Sequence, residues 1–272
     1  MAEIIAVANQ KGGVGKSTTS INLADALTHL QNRVLVLDLD PQANTTLTYG
    51  AKIDDEYTIV DVLKKDCSAS EAIQHTPMGD IIAGDPMLSG EKNFFNSQKA
   101  RENILKRALK DIEDTYDFII IDTPPDLDIY MLSALTAANG CVIPLNSAQF
   151  AIAGLSMLID TINEVKEVLN EDLQIYGILL GKFDVRNSLD RKIREALPQI
   201  GKEKGIPIFD TVIRIDQNVQ NVQAYVETDE NNEIIVPNRS LYENHPRSNA
   251  SLDFVHFTQE LLEVIKHGKE NK

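Results

Sequence analysis

The chain has 272 residues with 26 basic and 41 acidic side chains, which gives a formal net charge of −15 at pH 7, and 43% of its residues are hydrophobic. This length suits one large α/β domain or two small ones, and the composition is ordinary for a globular protein. Two distant cysteines, Cys67 and Cys141, exclude a disulfide framework, and no apolar run approaches the roughly 18 residues that a membrane span needs, so we expect a soluble protein of the reducing cytosol.

The first motif lies between an apolar run and an amphipathic helical pattern, which is the context that a phosphate-binding loop requires. The loop reads Asn9-Gln10-Lys11-Gly12-Gly13-Val14-Gly15-Lys16-Ser17-Thr18. Because glycines leave little side-chain bulk, successive N–H groups can point at phosphate oxygens, and the N-terminal end of the following helix adds its positive dipole. The pattern predicts that Lys16 contacts the β- and γ-phosphates of a nucleotide and that the Ser17 hydroxyl ligates Mg²⁺. The alternative is a glycine-rich turn without a ligand.

A second lysine precedes the glycines of this loop. The common pattern has a glycine five residues before Gly15, where this chain has Gln10, and Lys11 follows it. The phosphates bound by its own loop give Lys11 no role unless its side chain folds back toward them. Otherwise Lys11 would contact another molecule. The Lys-Gly-Gly-Val-Gly-Lys-Ser form resembles the deviant Walker A loop of the ParA/MinD family of ATPases. The resemblance implies that Lys11 crosses a dimer interface to the partner's nucleotide, and that the whole stretch binds ATP: Lys11, Gly12, Gly13, Val14, Gly15, Lys16, Ser17 and Thr18.

The next apolar run, residues 33–38, predicts a buried parallel strand that ends in acidic residues. Asp38 and Asp40 lie two residues apart, hence on one face if the strand continues, at the edge of the sheet where ligands of open α/β folds bind. The stretch from Asp38 to Thr46 resembles the family's switch I segment, with Ala43 in place of the usual glycine. The resemblance implies that Asp40 positions or activates the attacking water and belongs to the metal site. The alternative is an Asp-Pro turn that closes a strand.

The middle of the chain carries a weaker signal until a second acidic strand end. We expect a short helix over 58–65 capped by Thr58, a strand at 81–84, a loop over 85–96 and a helix over 98–114. The apolar run Phe118–Ile121 then ends at Asp122, and a buried aspartate beside a phosphate loop can hold a Mg²⁺-bound water. Asp-Thr-Pro-Pro resembles the family's Walker B segment, which implies Asp122 and Pro124 as ATP-site residues and Asp122 as a metal-site residue.

Strands and helices continue to alternate in the second half. We expect strands at 141–145, 175–180 and 209–215, and helices ending near 169, over 188–204 and over 250–266. Residues 149–155 resemble the family's dimer segment, and residues 184–189 resemble a motif whose arginine contacts DNA. The resemblance implies a DNA contact by Arg186, with Arg214 and Arg247 as candidate neighbours. The segment after Ile213 departs from the family: Gln220 stands where relatives have a second DNA-contacting arginine, and the proline that shapes an adenine contact is absent. At about 225–241 we expect an inserted hairpin or loop.

The charge distribution bears on DNA binding, since a polyanion repels nucleic acid at long range. Residues 92–110 contain six basic and one acidic side chain, a net of +5, and residues 182–204 contain seven against four, a net of +3. These two basic segments can contact phosphates locally, or they can be ordinary solvated helix faces.

The alternation predicts one P-loop NTPase domain over 1–272, a single doubly wound and mostly parallel sheet flanked by helices. The resemblance to the ParA/Soj-type partition ATPases implies ATP and Mg²⁺ as cofactors, weak and partner-stimulated ATP hydrolysis, and a homodimer when ATP is bound. It further implies nonspecific binding to double-stranded DNA of the nucleoid and a ParB-like centromere-binding partner, so that a plasmid or chromosome is segregated in the cytoplasm.

Four alternatives remain at this level. A MinD-like regulator of division at the membrane would need a basic amphipathic C-terminal helix, whereas here Phe257, Leu261, Leu262 and Ile265 are expected to face the core. Another cargo-positioning ATPase would share the ATP site. A metabolic ligase would show a substrate site that the sequence does not identify, and the iron-protein branch would need bridging cysteines.

Overall fold

Continuous apolar runs form the strands, because a strand covered on both faces must bury every side chain. The computed structural model describes residues 1–147, 152–224, 227–228, 234–235 and 239–270. In this part of the chain the main sheet contains β1 (Glu3–Val7), β2 (Val34–Asp38), β3 (Ile73–Thr76), β4 (Gly79–Ile82), β5 (Phe118–Asp122), β6 (Gly140–Asn146), β7 (Gln174–Phe183) and β8 (Ile208–Arg214). Their order is β3-β4-β2-β5-β1-β6-β7-β8, and only β3 and β4 pair antiparallel. The predicted doubly wound, mostly parallel sheet is confirmed.

Strand register determines which residues meet at the edge of the sheet. The N-terminal strand β1 lies at the centre, paired with β5 on one side and β6 on the other. Val7 is opposite Asp122, and Asp38 at the end of β2 is also opposite Asp122. The phosphate loop and both predicted acidic strand ends therefore lie side by side.

Two layers of helices cover the sheet, each with its own apolar core. One layer consists of α1 (Lys16–His29), α2 (Asn44–Tyr49), α9 (Gln217–Ala224), α10 (Leu241–Asn244) and α11 (Asn249–Glu270). The other consists of α3 (Ile59–Lys64), α4 (Leu88–Ser97), α5 (Ile104–Ala108), α6 (Ile129–Ala137), α7 (Ile152–Val168) and α8 (Ser188–Lys204). The helix predicted over 188–204 is confirmed at both ends, and Thr58 caps α3 in a capping box with Asp61, as expected.

The expectation for residues 85–114 was wrong in two respects. A helix, α4, replaces the predicted loop, and the predicted long helix over 98–114 is reduced to α5 with single 3₁₀ turns before and after it. Ala100 adopts a left-handed conformation with φ 49°, which interrupts a helix at the point where the apolar pattern was continuous. The basic segment of residues 92–110 is consequently spread over two helices and not along one.

Two other expectations fall partly outside the described residues. The dimer segment at 149–155 includes residues 149–151, which lie outside them. Of the inserted hairpin or loop at about 225–241, the described residues include β9 (Glu227–Thr228) and β10 (Ile234–Ile235), which pair antiparallel.

Candidate functional site

The phosphate loop connects β1 to α1 through two left-handed glycines. Gly13 has φ 74° and Gly15 has φ 101°, conformations that side chains with a Cβ rarely adopt. Gly15 is the N-cap of α1 and offers no side chain to the first N–H groups of the helix. Asn9 holds the loop in place, since its Oδ1 accepts from Lys11 N at 3.0 Å and its Nδ2 donates to Pro144 O at 2.7 Å. The loop is a preformed cradle with backbone donors for an anion.

Lys16 is the buried cation of this cradle. Its side chain is mostly enclosed, with 6% of the residue exposed, and Nζ donates to Lys11 O at 3.1 Å. Burial lowers the pKa of Lys16, while the charges of Asp122 and Asp40 oppose that shift. An ammonium group held at the floor of an open cavity is arranged to meet an anionic ligand.

Asp122 is the buried acid beside the loop. No part of it is exposed, and its two carboxylate oxygens accept from Thr45 Oγ1 at 2.7 Å and from Ser20 Oγ at 3.1 Å. Burial raises the pKa of Asp122, and the hydrogen bonds from Thr45 and from the Ser17 hydroxyl oppose that shift. Ser17 and Asp122, both predicted metal-site residues, thus lie in contact. Their oxygens and those of Asp40 are the hard donors that Mg²⁺ prefers.

Asp38 is a structural carboxylate and not part of the open site. Its Oδ2 accepts from Thr46 N at 2.9 Å and from Thr46 Oγ1 at 2.8 Å, and its Oδ1 accepts from Asp40 N at 3.1 Å. Burial and the neighbouring Asp122 raise the pKa of Asp38 to about 7. Gly84 N donates to Thr46 Oγ1 at 2.7 Å, and a Cβ on Gly84 would lie 2.8 Å from the Asp38 carboxyl carbon. This network fixes the turn that carries Asp40.

Asp40 lies at the start of that turn, where it is 7% exposed and lines the cavity above the phosphate loop. Asp40 Oδ1 accepts from Gln42 N at 2.9 Å, and its backbone oxygen accepts from Ala43 N at 2.8 Å. Ala43 takes the left-handed conformation, φ 50°, at the N-cap of α2. The resemblance assigns a glycine to this position, and the structure gives the reason, because only glycine adopts that conformation without strain.

The open cavity over the loop has a volume of about 500 Å³, within the range of small-molecule sites. It is lined by Gly12, Gly13, Gly15, Lys16, Ser17, Thr18, Ile21, Asp40, Gln42, Asn44, Leu47, Thr48, Pro125, Lys182, Gln223 and Arg239. Most of the predicted ATP-binding residues therefore surround one space. Pro125 lines it, whereas the predicted Pro124 is buried. Lys11 lies instead beside Gly154 at a separate small cavity.

A second cavity of about 360 Å³ adjoins the first and shares four lining residues with it: Gly15, Thr18, Lys182 and Gln223. Its further wall comes from the end of β8, from α9 and from Phe254 of α11. The part of this wall that follows Ile213 is the segment whose sequence differs from the family pattern. Ile213, Val219 and Phe254 give the cavity apolar surfaces of the kind that accept a flat ring.

The three predicted DNA-binding arginines differ in their surroundings. Arg186 has 87% of its side chain exposed and pairs with Asp184 at 3.1 Å within its own turn. Arg214 makes a two-point ion pair with Asp253, whose carboxylate is 9% exposed, at 2.7 and 2.9 Å. Arg247 is exposed. Both arginines therefore have an intramolecular carboxylate partner, and they differ in exposure, since 41% of the Arg214 side chain and 9% of the Asp253 side chain are exposed against 87% and 28% for Arg186 and Asp184.

Among the residues of this site that the sequence missed, four make contacts that matter here. Ser20 and Thr45 hold Asp122, while Lys182 and Arg239 line the open cavity. Lys182 follows the general rule that ligands bind beyond the carboxyl ends of parallel strands, so its place near the end of β7 was a usable signal. Arg239 reaches the cavity from a distant segment, where its Nη1 donates to Leu47 O at 2.6 Å, and local sequence carries no sign of that.

Comparisons with known proteins agree with this geometry. A family model described as an AAA domain matches residues 2–175. The sporulation initiation inhibitor protein Soj of Bacillus subtilis is 40% identical over 216 residues, which cover 78% of this chain and 84% of Soj. The chromosome partitioning protein ParA of Caulobacter vibrioides is 35% identical over 227 residues, 82% of this chain and 84% of that protein.

Solved structures extend the likeness to the whole fold. Cobyrinic acid a,c-diamide synthase from Mycobacterium smegmatis, with bound ADP and magnesium, has a TM-score of 0.81 at 29% identity and covers 98% of this chain and 97% of its own. An ATP complex of McdA from Cyanothece has a TM-score of 0.80 at 19% identity, covers 96% of each chain, and shows the shared fold.

Proposed function

This chain belongs to the ParA/Soj family of P-loop partition ATPases, and from that premise we propose that it binds and hydrolyses ATP as a dimer that moves DNA. The observation that carries the proposal is the meeting of Lys16, Asp40 and Asp122 at the ends of adjacent parallel strands. A cation, a cavity-facing carboxylate and a buried carboxylate around a glycine cradle are the parts that phosphoryl transfer requires.

ATP and Mg²⁺ fit this site. The N–H groups of the loop and the Lys16 ammonium face the space that the phosphates would fill, and the charged phosphates would complete the coordination of a lysine that now bonds a carbonyl. Ser17 and Asp122 would hold Mg²⁺, whose charge would offset that of the phosphates. Asp40 would orient the attacking water, since its carboxylate lies on the cavity wall and its backbone is fixed by the turn.

The position of Lys11 supports the proposal of a dimer. Its side chain lies beside Gly154, whose added Cβ would be 3.2 Å from Lys11 Cε, and Lys11 does not line the cavity that holds Lys16. A lysine outside its own phosphate cavity is suited to serve the nucleotide of a second copy. We infer that ATP brings two copies face to face and that Lys11 then contacts the partner's phosphates.

DNA binding would depend on this dimer. Each neutralised phosphate adds about 0.9 to the salt slope for B-DNA, and one copy offers few free cations for that purpose. Arg186 and Arg247 are exposed, with Arg186 paired to Asp184 at the surface, whereas Arg214 is held by the more buried Asp253. Two copies would double the number of contacts on one surface. We therefore expect weak binding without sequence preference that requires ATP and falls steeply with salt.

The relatives' names supply the biological setting. Soj and ParA are named for sporulation and chromosome partitioning, so segregation of a chromosome or plasmid is the proposed output. A ParB-like protein at a centromere-like site would stimulate a slow intrinsic ATPase and release the dimer from the nucleoid.

The principal alternative is a MinD-like regulator of division at the membrane. The described residues contain no helix with the length and apolarity to cross a bilayer. In α11, the apolar residues Phe257, Leu261 and Ile265 are at most 6% exposed and pack into the core around α1, so this face is not available to lie on a lipid surface. The structure gives no support to this alternative.

The central experiment separates binding from turnover. In Asp40→Ala, ATP affinity measured by calorimetry should stay within about twofold, while steady-state turnover should fall at least a hundredfold, because the carboxylate acts on water and not on the cradle. Asp54→Ala, an exposed acid outside the cavity, is the matched control. Unchanged turnover in Asp40→Ala would remove Asp40 from the reaction.

Oligomeric state and DNA binding are then measured on the same protein. With ATP and Mg²⁺, light scattering should show Asp40→Ala as a dimer and Lys11→Ala as a monomer, and equal dimer fractions would contradict the role of Lys11. Mobility shifts of the Asp40→Ala dimer on unrelated duplexes should fall with salt and be lost in Arg186→Glu without loss of dimer. No binding at low salt would refute the DNA part of the proposal and leave the ATPase part intact.

A further inference from the structure

Lys182 has an unusual backbone conformation near the end of β7. Its φ is 51°, in the left-handed region that a residue with a Cβ rarely enters. Such conformations persist where surrounding contacts hold them, and they are concentrated at binding sites. The Lys182 side chain reaches the phosphate loop, where its Nζ donates to Gly13 O at 3.2 Å.

The position of Lys182 relative to the two cavities is the second observation. Lys182 lines both the cavity over the phosphate loop and the adjoining cavity against β8 and α9. A nucleotide with its phosphates in the first cavity and its base in the second must pass across the junction. The phosphate nearest the ribose would lie there, within reach of a flexible four-carbon side chain.

The basic segment of residues 182–204 gives a third observation. Of its seven cations, Lys182 alone lines either cavity, and this segment lies wholly within the described residues. Its present partner, the Gly13 carbonyl, is neutral. A phosphate oxygen carries charge, and a hydrogen bond between two charged groups is about twice as strong as one to a neutral acceptor.

We propose that Lys182 is a further nucleotide-binding residue of this site, which leaves the Gly13 carbonyl when a nucleotide binds and contacts the phosphate nearest the ribose. The inference rests on the proposed function, because it assumes that the two cavities hold a nucleotide. Lys182 differs in role from Lys16, which serves the terminal phosphates, and from Lys11, which is proposed to act across the dimer. Its contact would be the same with ADP and ATP.

The expected consequence is a loss of binding without a loss of chemistry. Lys182→Met should weaken ADP and ATP alike by about tenfold, in line with one charge-assisted contact at an exposed position. KM for ATP should rise by a similar factor while kcat stays within twofold, because the contact is equal in the ground state and the transition state. Lys182→Arg should restore most of the affinity.

Calorimetric titrations of the full chain with ADP-Mg²⁺ and ATP-Mg²⁺ at several salt concentrations test this inference. The control is Lys192→Met, an exposed lysine on α8 that lines neither cavity. The salt dependence of Kd should be shallower in Lys182→Met than in the unaltered chain, which a purely structural role would not produce. Unchanged affinity, or weaker affinity with the same salt dependence, would overturn the contact. If the unaltered chain binds neither nucleotide, the proposed function itself fails.

Discussion

The buried network around Thr46, Asp38 and Gly84 can be tested by replacing Thr46. Its hydroxyl donates to Asp38 Oδ2 at 2.8 Å and accepts from Gly84 N at 2.7 Å, with only 1% of the residue exposed. Thr46→Val keeps the shape and removes both hydrogen bonds. The backbone bond from Thr46 N to Asp38 stays in place.

The size of the effect follows from these two contacts. A hydrogen bond to a charged acceptor contributes about 1.5–3 kcal/mol, and a buried N–H without a partner costs about 1–3 kcal/mol. The methyl group that replaces the hydroxyl recovers about 1 kcal/mol by apolar burial. We expect the free energy of unfolding to fall by about 3 kcal/mol, equivalent to a drop in Tm of about 6–12 °C for a chain of this size.

Urea unfolding followed by circular dichroism measures this loss. It should be done at pH 8, because the pKa of Asp38 is raised to about 7 and the carboxylate is mainly ionised only above that value. The matched control is Thr136→Val in α6, which is equally buried and whose hydroxyl donates to Leu132 O of its own helix at 2.7 Å. A loss below about 1 kcal/mol in Thr46→Val, or an equal loss in the control, would refute the network as the support of Asp40.

The remaining predictions concern backbone conformation, packing and an ion pair. Ala43→Gly should raise the free energy of unfolding by about 0.5 kcal/mol with turnover unchanged, since relief of the left-handed strain exceeds the gain in unfolded-state entropy; scanning calorimetry and an ATPase assay check both. Gly140→Ala should lower the free energy of unfolding, measured in urea, by about 2–3 kcal/mol, because the new methyl group would overlap the Tyr176 ring. Arg214→Gln should lower the free energy of unfolding by about 1 kcal/mol, after allowance for solvent screening. It should leave DNA affinity in mobility shifts unchanged, because Asp253 already neutralises Arg214.

The sequence predicted the parts of the fold that local patterns determine. Continuous apolar runs located the central strands, and the Asn187 side chain that caps α8 explains why that helix begins at Ser188 as expected. The same reasoning failed around Ala100, because an apolar pattern does not reveal a left-handed residue that divides a helix. Local pattern determines which residues face the core, whereas the continuity of a helix also depends on its tertiary contacts.

The residues of the site likewise fall into those that local sequence predicts and those that it does not. The glycine loop, Asp40 and Asp122 were predictable, since each motif carries its chemistry in adjacent residues. Arg239 was not, because it reaches the cavity through a segment that returns from far along the chain, whereas the place of Lys182 near the end of β7 was a usable signal that no motif included. Residues that line a site from separate elements have no fixed separation in the sequence, so a sequence motif cannot identify them.

The central position of β1 has a consequence for biosynthesis. Glu3 pairs with Phe118, a separation of 115 residues, so β1 cannot pair with β5 until that length of chain has been made after it. At about 5–20 residues per second, that delay is about 6–23 s. During this time the apolar strand next to the phosphate loop has no sheet to join, and such strands aggregate readily. The nucleotide site is therefore assembled only after β5 has been made, although its loop directly follows β1.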